Sequence, residues 1–512
     1  MSLTTTVKSI QDIMRTDVGV DGDAQRIGQI VWLLFLKIWD DREQEQELLD
    51  ADYVSPLVDV RWRVATDGVE DKHAPDLRWR SWAANPEGLT GEGLLSFVND
   101  TLFAALKNLE IGPRLEGKDK ASRKAEALRL RRLVIKSVFE DAYQYMKSGT
   151  LLRQVINKLQ EDVDFNDSKN RHLFGEIYET LLRGLQNAGN AGEYYTPRAV
   201  TQFAIDMVNP KLGEVVLDPA CGTGGFLAGT IEHLRKTQVT TPQHEALLQT
   251  CIRGVEKKPL PHLLCVTNMI VHGIDVPTNI RHDNTLSRPL RDYGPKDRVD
   301  VILTNPPFGG QEEPGIEQNF PDAFRTRETA DLFLALILNL LKPGGRAAVV
   351  LPDGSLFGEG VKTRLKEKLL EDCELHTIVR LPKGVFAPYT SIQTNILFFD
   401  KGRPTQDVWF YEHPYPAGAK SYSKTKPMRI EEFDVEKAWW TNRVESERAW
   451  RVPVADIKAR GFNLDIKNPN APELTHEDPD VLLERYQQAR LAAAEVLGQL
   501  KDALSEALVG RS

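Results

Sequence analysis

The chain has 512 residues, 41% of them hydrophobic and 27% charged, the composition of a soluble protein of two to four domains. A net charge of −9 argues against a protein that grips nucleic acid unaided, although basic stretches at residues 114–136 and 420–429 survive that balance. The best apolar run, Val31 to Trp39, is too short to span a bilayer and carries Lys37, and the N-terminus has no apolar signal core. A cytoplasmic protein without a membrane anchor is therefore expected.

Residues 1–165 read as a helical N-terminal domain, with apolar residues at helical spacing from Ile27 to Leu49 and Asp23 as an N-cap. From about 166 to 402, short apolar strands alternate with helices, which predicts an α/β fold with a doubly wound, mostly parallel sheet. Ligands of such sheets sit beyond the carboxyl ends of the strands. Residues 403–475 read as an irregular extension rich in Pro, Lys and aromatics. Residues 476–512 contain a terminal helix, Asp480 to Leu508, whose apolar stripe suits packing on the rest of the chain or on a partner's helix.

The four cysteines are scattered without a CxxC pair, so neither a metal site nor a disulfide framework is expected. A partial Walker A match, Gly112 to Asp119, has an Asp where a hydroxyl should reach magnesium, and it follows a helix rather than a strand.

Chemistry concentrates in the strand–helix region. In "LDPACGTGGF", Asp218 ends a strand, and Gly222, Gly224 and Gly225 let backbone approach a ligand at a helix N-terminus. Leu227 occupies the third glycine position of a dinucleotide fingerprint, which disfavours NAD. In "GVEKKP", Glu256 follows the next strand, where an acid accepts ribose hydroxyls or caps the next helix; its pairing with the 218–225 loop favours the ribose. Asp283 in "HDNTL" accepts either from an adenine amino group or within an Asx-turn.

"VDVILTNPPFGG" ends a core strand on Asn305-Pro306-Pro307-Phe308. The prolines remove two donors and stiffen the chain, and Asn305 is held extended by Pro306. An exocyclic amine on a base is a poor nucleophile because its lone pair is delocalised into the ring. An amide oxygen and a fixed carbonyl accepting its two N–H bonds steer the nitrogen toward tetrahedral geometry, while Phe308 offers a ring for an extruded base.

The Asp218–Phe226 and Asn305–Phe308 motifs together resemble those of S-adenosylmethionine-dependent amino-group DNA methyltransferases. "NAGEYYTPR", residues 190–198, narrows the likeness to the methylase (M) subunits of type I restriction–modification systems. "GDAQRIGQIVWLLFLKIWDD", "TNMIVHGID", "LPKGVFAPYTSIQTNILFF" and "GFNLDIKNP" extend it over nearly the whole chain. The resemblance implies a Rossmann-like methyltransferase that transfers methyl from S-adenosylmethionine to adenine N6 in DNA. It further implies that Glu193, Tyr194, Tyr195, Thr196, Pro197 and Arg198, with Thr223, Gly224 and Gly225, hold the methionine end. Asp218 would lie near its amino group, Glu256 on the ribose and Asp283 on the cofactor's adenine. Asn305 and Pro306 would bind the target amine, Phe308 would stack on the base, and Phe386 is a second candidate ring. Implied partners are double-stranded DNA, a specificity subunit, a second methylase copy and a restriction subunit. A methylase that reads DNA by itself through residues 400–475, a glutamine-amide methylase and an inactive scaffold are the rival readings.

Overall fold

The computed structural model describes residues 3–60, 76–117, 119–165, 195–387, 390–419, 421–423, 426–470 and 479–509. The N-terminal region is helical, with α1 (Leu3–Arg15), α2 (Asp23–Leu49), α3 (Lys120–Phe139) and α4 (Gly149–Asp162) as its longer elements. Helix α2 is buried on every side from Ile30 to Asp41. Between Ile30 and Asp41 its charges are paired: Lys37 Nζ donates to both oxygens of Asp41 at 2.6 Å, and Arg80 Nε donates to Asp40 at 2.8 Å. Asp119, the residue that spoils the Walker match, caps α3 by accepting from the Ser122 amide.

A nine-stranded sheet follows, built from β1 (Val216–Asp218), β2 (Ile252–Glu256), β3 (Ile280–His282), β4 (Val299–Thr304), β5 (Leu341–Pro352), β6 (Cys373–Arg380), β7 (Thr394–Lys401), β8 (Asp407–Glu412) and β9 (Ala449–Pro453). The order is β3-β2-β1-β4-β5-β7-β6-β8-β9, with β3 through β5 parallel and β7 inserted antiparallel between β5 and β6. The helices that flank it are α5 (Arg198–Val208), α6 (Gly225–Thr237), α7 (Pro259–Val271), α8 (Thr329–Leu340), α9 (Val361–Asp372) and α10 (Asp434–Thr441). The pleat sorts β4 between two faces: Val301 and Leu303 pack with Phe203 of α5, while Ile302 packs with Leu336 and Ile337 of α8. Buried residues of α2 and α3 are continuous with Leu263 and Leu264 of α7, so the helical region shares its core with one flank of the sheet.

Among its described residues, the region 403–475 is not an irregular extension. It supplies β8, β9 and α10, and β8 pairs in parallel with β6. Four of its aromatics, Trp409, Phe410, Tyr411 and Trp450, are strand residues, and Phe410 and Trp450 are cross-strand partners whose rings stack at 5.4 Å. Their Pro- and Lys-rich flanks hide two short strands, β8 and β9, with α10 between them. The last helix, α11 (Pro479–Val509), extends the expected span by one residue at each end, and every residue from Pro479 to Lys501 is exposed. No described helix is long and apolar enough to cross a membrane.

Candidate active site

The carboxyl ends of β1, β2 and β4 open onto one cleft of about 410 Å³. Asp218 closes β1. Its carboxylate is buried and accepts from Thr304 Oγ1 at 2.6 Å and from the Ala220 amide at 3.1 Å. Burial pushes its carboxyl up to about 7, against the pull of those two donors, and the neighbouring Glu256 adds to the rise. Glu256 closes β2. One oxygen accepts from the Gly222 amide at 2.9 Å and the other from the Lys258 amide at 2.7 Å. Its carboxyl is also raised by burial, with those backbone donors lowering it. Glu256 thus helps shape the start of α7 and fastens the glycine loop beside the cleft, so the two readings of this residue are compatible.

The glycine loop needs its composition. Gly222 and Gly224 have φ of 52° and 81°, and a Cβ at Gly224 would lie 2.8 Å from Cys265 Sγ. Gly222 and Gly225 face the cleft, whereas Thr223 and Gly224 form the layer behind: Thr223 is buried and its carbonyl accepts from Asn268 Nδ2.

Beyond β4, Asn305, Pro306, Pro307 and Phe308 line the opposite wall. Asn305 Nδ2 donates to Thr196 Oγ1 at 3.0 Å, while its Oδ1 is buried with no hydrogen-bond partner among the described residues. Phe308 meets Phe386 edge to face, ring centroids 5.9 Å apart. Phe386 lines the cleft yet is only 4% exposed, so it supports Phe308 more than it offers a free face.

Other expected residues fall elsewhere. Tyr195 and Thr196 line the cleft, but Pro197 caps α5 and Arg198 turns outward to an exposed ion pair with Glu232 at 3.0 Å. Asp283 is off the cleft wall: its amide donates to the Glu256 carbonyl, and its carboxylate lies 3.8 Å from Arg281 at the surface. β3 ends at His282, in register with Glu256 of β2, and the cleft lining includes Glu256 and Lys257 but not Asp283. Glu193 and Tyr194 lie outside the described residues. Sequence reasoning missed Lys257 and Glu312, cleft residues joined at 3.1 Å, with Asn284 Nδ2 donating to the same Glu312 oxygen. A lysine directly after Glu256 was the available signal; Glu312, four residues past Phe308, had none.

A parallel sheet whose ligand cleft joins a glycine loop, two strand-end acids and an Asn-Pro-Pro-Phe corner defines a methyltransferase acting on an amino nitrogen. The family described as N-6 DNA methylase matches residues 169–478, and the HsdM N-terminal domain matches residues 3–159. The chain is 57% identical over its whole length to the type I restriction enzyme EcoEI methylase subunit of Escherichia coli, 99% of which is covered. It is 34% identical, over 51% of its length, to the EcoKI methylase subunit of Escherichia coli K12. A solved chain from a study of assembly and conformational transition in a type I R-M system superposes with a TM-score of 0.76 at 33% identity, covering 99% of this chain and 98% of that one. The chain belongs to the N-6 DNA methylase family, as an adenine-specific methylase subunit of a type I restriction–modification system.

Proposed function

We propose that the cleft binds S-adenosylmethionine and that Asn305, Pro306, Pro307 and Phe308 receive an adenine turned out of double-stranded DNA. The residues present suit that cofactor. Asp218 supplies a buried carboxylate for an amine cation, Gly222 and Gly225 leave backbone room, and the Glu256 oxygens keep lone pairs for ribose hydroxyls after their backbone bonds. When bound, S-adenosylmethionine supplies a methyl group activated on a sulfonium.

The observation that carries the reading is the buried, unpartnered Oδ1 of Asn305 in the same cleft. A buried acceptor without a donor costs about 1–3 kcal/mol, and an adenine N6–H would satisfy it. Oδ1 and the Pro306 carbonyl accept the two N–H bonds, localising the nitrogen lone pair for direct in-line attack. Phe308, braced by Phe386, stacks on the base. No enzyme nucleophile is required. The place proposed for the cofactor's adenine is the cleft wall near Lys257 and Glu312 rather than Asp283.

Sequence choice is assigned to a separate specificity subunit, with a second methylase copy and a restriction subunit completing a cytoplasmic complex. Support comes from the exposed apolar residues of α11, among them Leu483, Tyr486 and Leu497. The test is transfer of labelled methyl from S-adenosylmethionine to unmodified DNA, with and without the specificity subunit. N6 label that requires the subunit and falls at least about 100-fold in Asn305→Ala supports the reading. Label without the subunit favours a self-sufficient methylase, and full activity of Asn305→Ala overturns the site.

A further inference from the structure

Among the described residues, three carboxylates line the cleft: Asp218, Glu256 and Glu312. The first two close β1 and β2, and the third is tied to Asn284, which follows the end of β3. Strands β1, β2 and β3 are consecutive in the sheet, so the acids succeed one another along its carboxyl edge. S-adenosylmethionine carries its hydrogen-bond donors in a matching order: the methionine ammonium at one end, the ribose hydroxyls between, and the adenine 6-amino group at the other. In the cofactor reading of the cleft, Asp218 and Glu256 account for the first two.

Glu312 is held through both backbone and side chain. Its amide donates to the Arg327 carbonyl at 2.9 Å, and its carbonyl accepts from Arg327 Nε and Nη2 at 3.2 and 3.0 Å. In the side chain, Oε2 accepts from Lys257 Nζ at 3.1 Å and from Asn284 Nδ2 at 3.2 Å. Neither donor is ambiguous. An ammonium only donates, and the Asn284 amide is oriented by its own Oδ1, which accepts from the Leu286 amide. Oε1 has no partner among the described residues, although Glu312 is only 9% exposed. Lys257 balances the charge, which leaves the free oxygen to accept from a neutral donor. The Asp283 side chain, by contrast, is exposed beside Arg281 and outside the cleft lining.

We infer that Glu312 recognises the cofactor's purine, its Oε1 accepting from the 6-amino group in place of Asp283. This rests on the cleft being an S-adenosylmethionine site, and it goes further by fixing which purine the site takes. A carboxylate oxygen pairs with an amino donor but opposes the acceptor oxygen of a 6-oxo purine. In Glu312→Gln the amide oxygen must stay with its two donors, Lys257 and Asn284, which turns the NH₂ toward the ligand. The preference for an amino over an oxo group is then lost.

The experiment measures equilibrium binding to the methylase assembled with its specificity subunit. The ligands are S-adenosylhomocysteine, S-inosylhomocysteine and the analogue with hydrogen at purine C6. Wild type should bind the 6-amino ligand at least about 100-fold tighter than the 6-oxo ligand. Glu312→Gln should bring the two within about 5-fold, while Asp283→Asn keeps the wild-type ratio. Glu312→Ala should bind the 6-amino ligand about 10-fold more weakly and the C6–H analogue within about 2-fold of wild type, which separates recognition from support of the loop. Wild-type discrimination retained in Glu312→Gln, or abolished in Asp283→Asn, overturns the inference. An equal loss of all three ligands in Glu312→Ala overturns it too, because Glu312 would then only hold the loop. Wild type that binds none of the three, nor S-adenosylmethionine itself, is a separate failure, that of the cofactor reading.

Discussion

The hydroxyl of Thr304, at the end of β4, donates to Oδ1 of Asp218, at the end of β1, across 2.6 Å. Adjacent parallel strands are thereby locked at the point where one presents the buried acid and the other turns into Asn305. The bond opposes a larger effect, since burial holds the Asp218 carboxyl up to about 7. From its ordinary value near 3.8 up to about 7, the folded chain keeps a proton that the unfolded chain has lost. This group's contribution to stability therefore falls as pH rises through that window. A cationic ligand amine favours the ionised form, so cofactor affinity should rise as pH climbs through about 7. Asp218→Asn should flatten that pH dependence and weaken binding above it by about 10- to 100-fold, the worth of a charge-assisted hydrogen bond. Calorimetric titration with S-adenosylmethionine on either side of neutrality checks both.

Glu256 makes two backbone bonds that a neutral amide cannot reproduce. In Glu256→Gln one end of the side chain must place its N–H₂ against the amide of either Gly222 or Lys258. The expected cost is about 1–3 kcal/mol of stability together with weaker cofactor binding. Thermal unfolding with and without S-adenosylmethionine checks it. A melting temperature equal to wild type, with only ribose-dependent affinity lost, would mean that the loop bond carries little.

The two rings of the cleft should separate in experiment. Phe386 is buried and packs edge-on against Phe308, so Phe386→Ala should cost about 3–5 kcal/mol of stability. Phe308 is half-buried and faces the cleft. Its replacement by Ala should instead weaken capture of the extruded base about 10- to 100-fold, the worth of one base–aromatic stack. Denaturant melts and the fluorescence of 2-aminopurine at the target position distinguish the two. Equal effects on both readouts would count against the division of labour.

The parts legible in the sequence were those whose chemistry is contiguous. Asp218 with its glycine loop, Glu256 after its strand and Asn305 to Phe308 each sit within a few residues, and the sheet brings their ends together because β1, β2 and β4 are neighbours. Contacts made only by folding were not legible. The Thr196–Asn305 bond and the Lys257–Glu312 pair join loops far apart in the chain, and although Thr196 and Asn305 lie in motifs, nothing local says that they meet. Asp283 has the right residue type at the right strand end, but β3 ends level with β2 and the loop after it turns Asp283 toward Arg281 at the surface, which periodicity does not give. Strands β8 and β9 failed for the opposite reason, good strand residues amid misleading flanks.

The terminal helix α11 carries an apolar stripe that no described residue of the chain covers. Leu483, Tyr486, Leu497 and Leu500 repeat at heptad spacing, and all lie between 55% and 61% exposed. Burying one such leucine is worth about 1.5–3 kcal/mol, so the stripe as it stands forgoes several times that amount. Packing on helices of the specificity subunit would recover it. Leu483→Asp with Leu497→Asp should leave the melting temperature of the isolated methylase unchanged, because exposed positions tolerate substitution within about 0.5 kcal/mol. The same pair should abolish co-purification with the specificity subunit, and with it subunit-dependent methylation, since two buried carboxylates opposite apolar partners cannot be accommodated. Retained co-purification at wild-type yield would remove α11 from the interface. A lowered melting temperature of the isolated chain would mean instead that the stripe is covered by the methylase itself.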